Sequence, residues 1–246
     1  NLFKTKTKEI LSIYFCAGDP TPSCTAEVIR SLQRNGVDMI EIGMPFSDPL
    51  ADGPVIQAAS TRSLKGGMSV RKLFEQLEGI RKDVTIPLII MGYINPIMQY
   101  GFEAFCQKCN EVGVDGLIIP DLPFREYEEL YRETAKAHNI DMIMLITPET
   151  EDERIRMIDN DSENGFIYMV SSASTTGAQK EFDAKKQEYF ARIDSMNLRR
   201  PRMIGFGISN EATYKAASAH AAGVIIGSKF VTLLNDTKDP DKAIKQ

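Results

Sequence analysis

EIGMPFSDPLADGP, residues 41–54, decides how the rest of the chain is read. It follows a mostly apolar run, residues 37–40, and leads into a helical pattern opening near Val55. Glu41 falls inside a stretch of β-strand character, flanked by Met39, Ile40 and Ile42. Side chains alternate across a strand, so if Ile40 and Ile42 face one layer, Glu41 faces the other with Met39 and Gly43. A carboxylate so placed is expensive to bury, and it implies a salt bridge, a hydrogen-bonded structural role or chemistry. Asp52 follows on a loop stiffened by Pro45, Pro49 and Pro54, so its position is restrained outside the sheet. The two carboxyls suit an acid/base pair, while Asp-Gly-Pro before a helix also reads as an ordinary turn and cap.

Outward from this segment, short apolar runs bounded by Gly, Pro, Asp or Asn recur between amphipathic stretches. Strands are expected at residues 11–15, 39–42, 87–91, 116–119, 141–145, 166–170, 203–206 and 223–226. Helical periodicity lies between them, as in Thr25, Val28, Ile29 and Leu32, or Leu73, Phe74, Leu77 and Ile80. Eight repeats of strand and helix predict an α/β fold, a closed (β/α)8 TIM barrel forming one domain over residues 1–246. The rival is an open doubly wound sheet. It would bring a G-x-G-x-x-G fingerprint after its first strand, where this chain has Ala17-Gly18-Asp19-Pro20.

Composition narrows the function classes. Hydrophobic residues make up 43% of the 246 and charged residues 26%, ordinary values for a soluble globular protein. The net charge of -5 comes with basic residues interleaved among acids, which argues against a nucleic-acid or membrane footprint. No apolar segment approaches the roughly 18 residues of a membrane span, and no signal-peptide pattern is present. Cys106 and Cys109 form a lone C-x-x-C, and His138 and His220 lie far apart, so no metal site is expected. Free thiols fit a reducing, cytoplasmic setting.

In a barrel of this kind the chemistry belongs on the loops after the strands. Glu41 and Asp52 fall there, as do Tyr93, Asn95, Asp121 and Thr147. After the sixth strand comes a small, polar run, residues 171–178, of lid-like composition. Gly205-Phe206-Gly207-Ile208-Ser209 closes the seventh strand and Gly227-Ser228 the eighth, where backbone amides and a helix N-terminus can cradle a phosphate.

The string at residues 41–54 resembles the signature of the tryptophan synthase alpha chain family. So do A-G-D-P at 17–20, G-V-D-G at 113–116, P-D-L-P at 120–123, T-T-G-A at 175–178, G-F-G-I-S at 205–209 and I-I-G-S at 225–228. The resemblance implies a lyase that cleaves indole-3-glycerol phosphate to indole and glyceraldehyde 3-phosphate in tryptophan biosynthesis. It implies Glu41 as principal acid/base, Asp52 as second catalytic carboxylate, and Tyr168, Thr176, Gly177, Gly207, Gly227 and Ser228 as substrate-binding residues. It also implies an α2β2 complex with a beta chain that alone carries pyridoxal phosphate, this chain needing no cofactor; residues 46–54 are the candidate route for signalling across that interface. Ser172 and Ser174 stand where other members can carry Arg and Gly, and Pro120 where some have Ala. The alternatives are another phosphate-binding barrel enzyme, or a chain that serves mainly as an allosteric partner.

Overall fold

Parallel strands with alternately inward and outward side chains build the fold. The computed structural model describes residues 2–161, 164–171, 184–208 and 210–246. The strands are β1 (Ile10–Cys16), β2 (Met39–Gly43), β3 (Leu88–Met91), β4 (Gly116–Ile118), β5 (Asp141–Met142), β6 (Leu145–Ile146), β7 (Ile167–Val170), β8 (Arg202–Gly205) and β9 (Gly223–Ile226). Every ladder is parallel, in the order β5-β4-β3-β2-β1-β9-β8-β7-β6.

The two ends of that order are one stretch of chain, which is how the ring closes. β5 and β6 are separated only by Ile143 and Met144. The Ile143 amide donates to Leu117 O at 2.9 Å, toward β4, while Met144 O accepts from the Tyr168 amide at 3.0 Å, toward β7. The single fifth strand expected from sequence is therefore two short pieces, each paired on a different side. The result is a (β/α)8 TIM barrel.

Register sorts the side chains into two layers. Ile13, Phe15, Ile40, Ile42, Leu88 and Ile90 point outward into the helical layer. Ile10, Tyr14, Met39, Ile89, Tyr168 and Ile225 fill the interior. Tyr14 is paired with Glu41 and Glu41 with Ile89, so Glu41 shares their inner face. The outer layer is amphipathic: the helix Thr25–Arg34 buries Val28, Ile29 and Leu32, and the helix Val70–Leu77 buries Leu73, Phe74 and Leu77. Ser69 caps the latter by accepting from the Lys72 amide. Ile80, expected on the same helix, begins a separate 3-10 turn. Cys106 and Cys109 are free thiols packed on the buried face of the helix Phe102–Val112. At the amino end of the barrel the short helix Leu2–Thr5 sets Phe3 against Phe166, ring centroids 5.8 Å apart. The carboxyl end is left to the loops.

Candidate active site

Asp52 is held by a loop tied down on both sides. Its amide donates to Pro49 O at 3.1 Å, and Gln57 Nε2 donates to its carbonyl at 2.9 Å. The next helix, Pro54–Lys65, begins at once, with Gly53 as cap and Pro54 in the first turn. From the loop after the neighbouring strand β3, Tyr93 Oη donates to Asp52 Oδ2 at 2.8 Å and accepts from the Ala51 amide at 3.0 Å. Phe46, from the same loop, stacks on the Tyr93 ring at 5.2 Å. Asp52 is 8% exposed. Burial pushes its carboxyl up to about 6 against the Tyr93 hydrogen bond, which favours the charged form.

Glu41 is fully covered, at 0% exposure, in the barrel interior. Ser12 Oγ donates to its Oε1 at 3.1 Å, and its Oε2 has no hydrogen-bond partner among the described residues. Burial drives the carboxyl up to about 8, with the Ser12 bond pulling the other way. Among the described residues no cation pairs with it.

Tyr14 and Tyr168 lie across the interior, each in space left by a glycine on the neighbouring strand. A Cβ on Gly43 would stand 2.1 Å from Tyr14 Oη, and one on Gly205 would stand 2.2 Å from Tyr168 Oη. Both phenols are held neutral by burial, and both carboxylates act on each of them, which places the four groups in one neighbourhood.

The opposite wall comes from the loop after β8 and the start of the helix Ser228–Thr237. Phe206 and Gly207 both take positive φ, 63° and 84°, so the chain turns sharply out of β8. Ser171 Oγ donates to the Phe206 carbonyl. A glycine at 207 reaches this conformation without strain, and it brings bare backbone to the cavity. Gly227 caps the helix Ser228–Thr237 with no side-chain hydrogen bond, leaving first-turn amides without a side-chain cap.

These elements enclose a cavity of about 270 Å³ at the carboxyl ends of the strands. Asp52, Tyr168, Gly207, Gly227 and Ser228, all singled out from sequence, wall it together. Glu41 shares the inner face but is not part of the wall, because its side chain is turned to Ser12. Thr176 and Gly177, like the lid expected around them, lie outside the described residues. Sequence reasoning missed Ser12, Tyr14 and Lys229; Tyr14 and Lys229 line the cavity. For Ser12 and Tyr14 the signal was present, as two polar groups at i and i+2 in an apolar strand. Other loop residues have local roles: Asp121 Oδ1 accepts from the Ile94 amide at 2.9 Å, Asn95 accepts from Gln99, and Thr147 closes a turn with Thr150.

A closed parallel barrel whose strand ends surround such a cavity is a TIM-barrel enzyme. The family model described as tryptophan synthase alpha chain matches residues 1–246, and the chain belongs to that family. It is therefore a carbon–carbon lyase subunit of tryptophan biosynthesis. It is 65% identical over 243 residues to the tryptophan synthase alpha chain of Phocaeicola vulgatus, covering 98% of this chain and 94% of that one. The corresponding protein of Bacteroides fragilis is 62% identical, with 99% and 92% covered. Among solved structures, the alpha chain from Legionella pneumophila superposes with a TM-score of 0.85 at 34% identity, covering 98% of this chain and 89% of that one. A Mycobacterium tuberculosis tryptophan synthase gives 0.87 at 30%, covering 98% and 92%.

Proposed function

We propose that the cavity binds indole-3-glycerol phosphate and that Glu41 and Asp52 cleave it to indole and glyceraldehyde 3-phosphate. The observation that carries the assignment is the pair of buried carboxyls whose surroundings separate their protonation states. Glu41, up at about 8, is an acid at neutral pH, while Asp52, near 6, is a carboxylate. Two like groups driven apart by environment can divide acid and base roles.

In this reading the phosphate lies against Gly207, Gly227 and Ser228, and the indole lies toward Asp52 beside Tyr168. Glu41 gives its proton to indole C3, and the positive charge that spreads to the ring nitrogen is stabilised as the N–H donates to Asp52. The glycerol hydroxyl on the carbon bonded to C3 then gives its proton to Glu41. Its C–O bond becomes a carbonyl, the bond to C3 breaks, and the electron pair restores the aromatic indole. The glutamate ends protonated as it began. Because its side chain is turned to Ser12, the carboxyl must rotate into the cavity to meet C3.

No metal or organic cofactor is called for in this chain; pyridoxal phosphate is assigned to a partner beta chain in an α2β2 complex. Exposed apolar side chains support such a partner. Leu50, 88% exposed, lies on the Asp52 loop, and Met98 and Leu130 are also exposed. Among the described residues no helix is long and apolar enough to cross a membrane, and a cytoplasmic location is proposed. The test is indole release from indole-3-glycerol phosphate. Acid/base catalysis is worth about 10² to 10⁴ in rate, so Glu41→Gln should lose that much while still binding ligand. Full activity in the variant would reject the assignment.

A further inference from the structure

We propose that Tyr93 is the positioning residue of the Asp52 carboxylate, occupying Oδ2 so that Oδ1 is the oxygen available to the indole N–H. The inference rests on the role given to Asp52 above and adds a residue to it. Tyr93 is 5% exposed and is not part of the cavity wall; its hydroxyl meets the site through Asp52 and the Ala51 amide beside it.

The geometry of its hydroxyl leaves little choice of direction. A phenol has one proton to donate. The Ala51 amide at 3.0 Å donates to the oxygen, so the proton is directed to Asp52 Oδ2 at 2.8 Å. No hydrogen bond engages Oδ1 among the described residues. The phenol itself is anchored from a different part of the barrel. Tyr93 stands between β3 and the helix Ile94–Tyr100, where the Gly92 amide donates to Ile118 O at 3.0 Å and Asp121 receives the Ile94 amide. Phe46 closes over the ring from the Asp52 side. The loop after β2 is thus hung on the exit of β3, and the attachment is the catalytic carboxylate itself. A donor of this kind favours the charged acceptor.

Other ionisable groups near Asp52 come from several elements. Tyr14 and Cys16 face it from β1, Tyr168 from β7, and Glu41 shares their neighbourhood from β2, while Asp121 acts on Tyr93. Lys229 lines the same cavity. Burial keeps both tyrosines and the Cys16 thiol neutral over the working range.

The test is the pH dependence of kcat/KM for indole-3-glycerol phosphate in wild type and Tyr93→Phe. Losing the donor raises the Asp52 pKa, so the acid limb moves upward. Moving the limb from about 6 to about 7 leaves the variant about threefold below wild type at pH 6.5 and within about a tenth of it at pH 8. Replacing Tyr93 by 3,5-difluorotyrosine, a stronger donor of nearly the same shape, should move the limb downward. Titration of the Asp52 carboxyl by carbon NMR without substrate should follow the same two directions. A uniform loss at every pH, or a carboxyl titration unmoved in both variants, overturns the proposal. If wild type releases no indole, the reading of the reaction fails, while the titration still decides whether Tyr93 governs Asp52.

Discussion

Replacing Glu41 with glutamine is expected to abolish indole release and, above pH 7, to make the fold more stable. The ordinary value for the carboxyl is 4.5, and burial lifts it to about 8 in the folded chain. Between those values the unfolded chain has released a proton that the folded chain still holds. Stability contributed by the neutral form is therefore whole below 4.5 and is lost as pH rises through 8. At about 1.4 kcal/mol per pH unit of separation, the charge at position 41 destabilises the fold by roughly 5 kcal/mol once ionised. Glutamine removes that penalty and keeps an oxygen for Ser12. Its NH2 group takes the place of Oε2, which has no partner among the described residues. An unsatisfied buried donor costs about 1–3 kcal/mol. The variant should therefore equal wild type or fall slightly below it at pH 5, and exceed it by about 2–4 kcal/mol at pH 8.5, on the order of 5–10 °C in Tm. Urea unfolding of both proteins across pH 5 to 8.5 measures the difference. Parallel stability curves over that range would refute the claim that position 41 carries a displaced proton.

Three further outcomes follow from the same groups. The rate profile of wild type should be a bell with limbs near 6 and 8, since the reaction needs Asp52 ionised and Glu41 protonated; a profile flat from pH 5 to 9 would count against both assignments. Ser12→Ala removes the hydrogen bond that, among the described residues, favours the charged Glu41, so the alkaline limb of the same profile should move upward. Gly205→Ala would set a methyl 2.2 Å from Tyr168 Oη and 2.6 Å from its Cζ. Overpacking of this kind costs about 1–3 kcal/mol, and because Tyr168 walls the cavity, thermal unfolding should drop and KM should rise together.

The barrel was legible because its determinants are local. Short apolar runs at helix-length intervals specify strands, and alternation in residues 39–43 put Glu41 opposite Ile40 and Ile42, as the ladders have it. The glycines after β8 and β9 were legible for the same reason, since a turn and a helix start are written in adjacent residues. What escaped depends on register and rotamer. The Tyr93–Asp52 bond joins loops from two strands and follows from pairing Gly43 with Met91. The tyrosines laid over Gly43 and Gly205 need the barrel closed before their fit exists. The division of the fifth strand reflects two neighbours pulling on one run of six residues, 141–146, and nothing in its own composition marks the break. The turn of Glu41 toward Ser12 is a choice among side-chain rotamers, which no sequence pattern encodes.

A crystal structure with indole-3-propanol phosphate bound would test the central claim most directly. The account places the phosphate on the amides of Gly207, Gly227 and Ser228, the indole N–H within hydrogen-bond distance of Asp52, and the Glu41 carboxyl turned from Ser12 to the ring carbon C3. A ligand seated elsewhere, or one bound here with Glu41 still on Ser12 and Asp52 out of reach of the nitrogen, would contradict it.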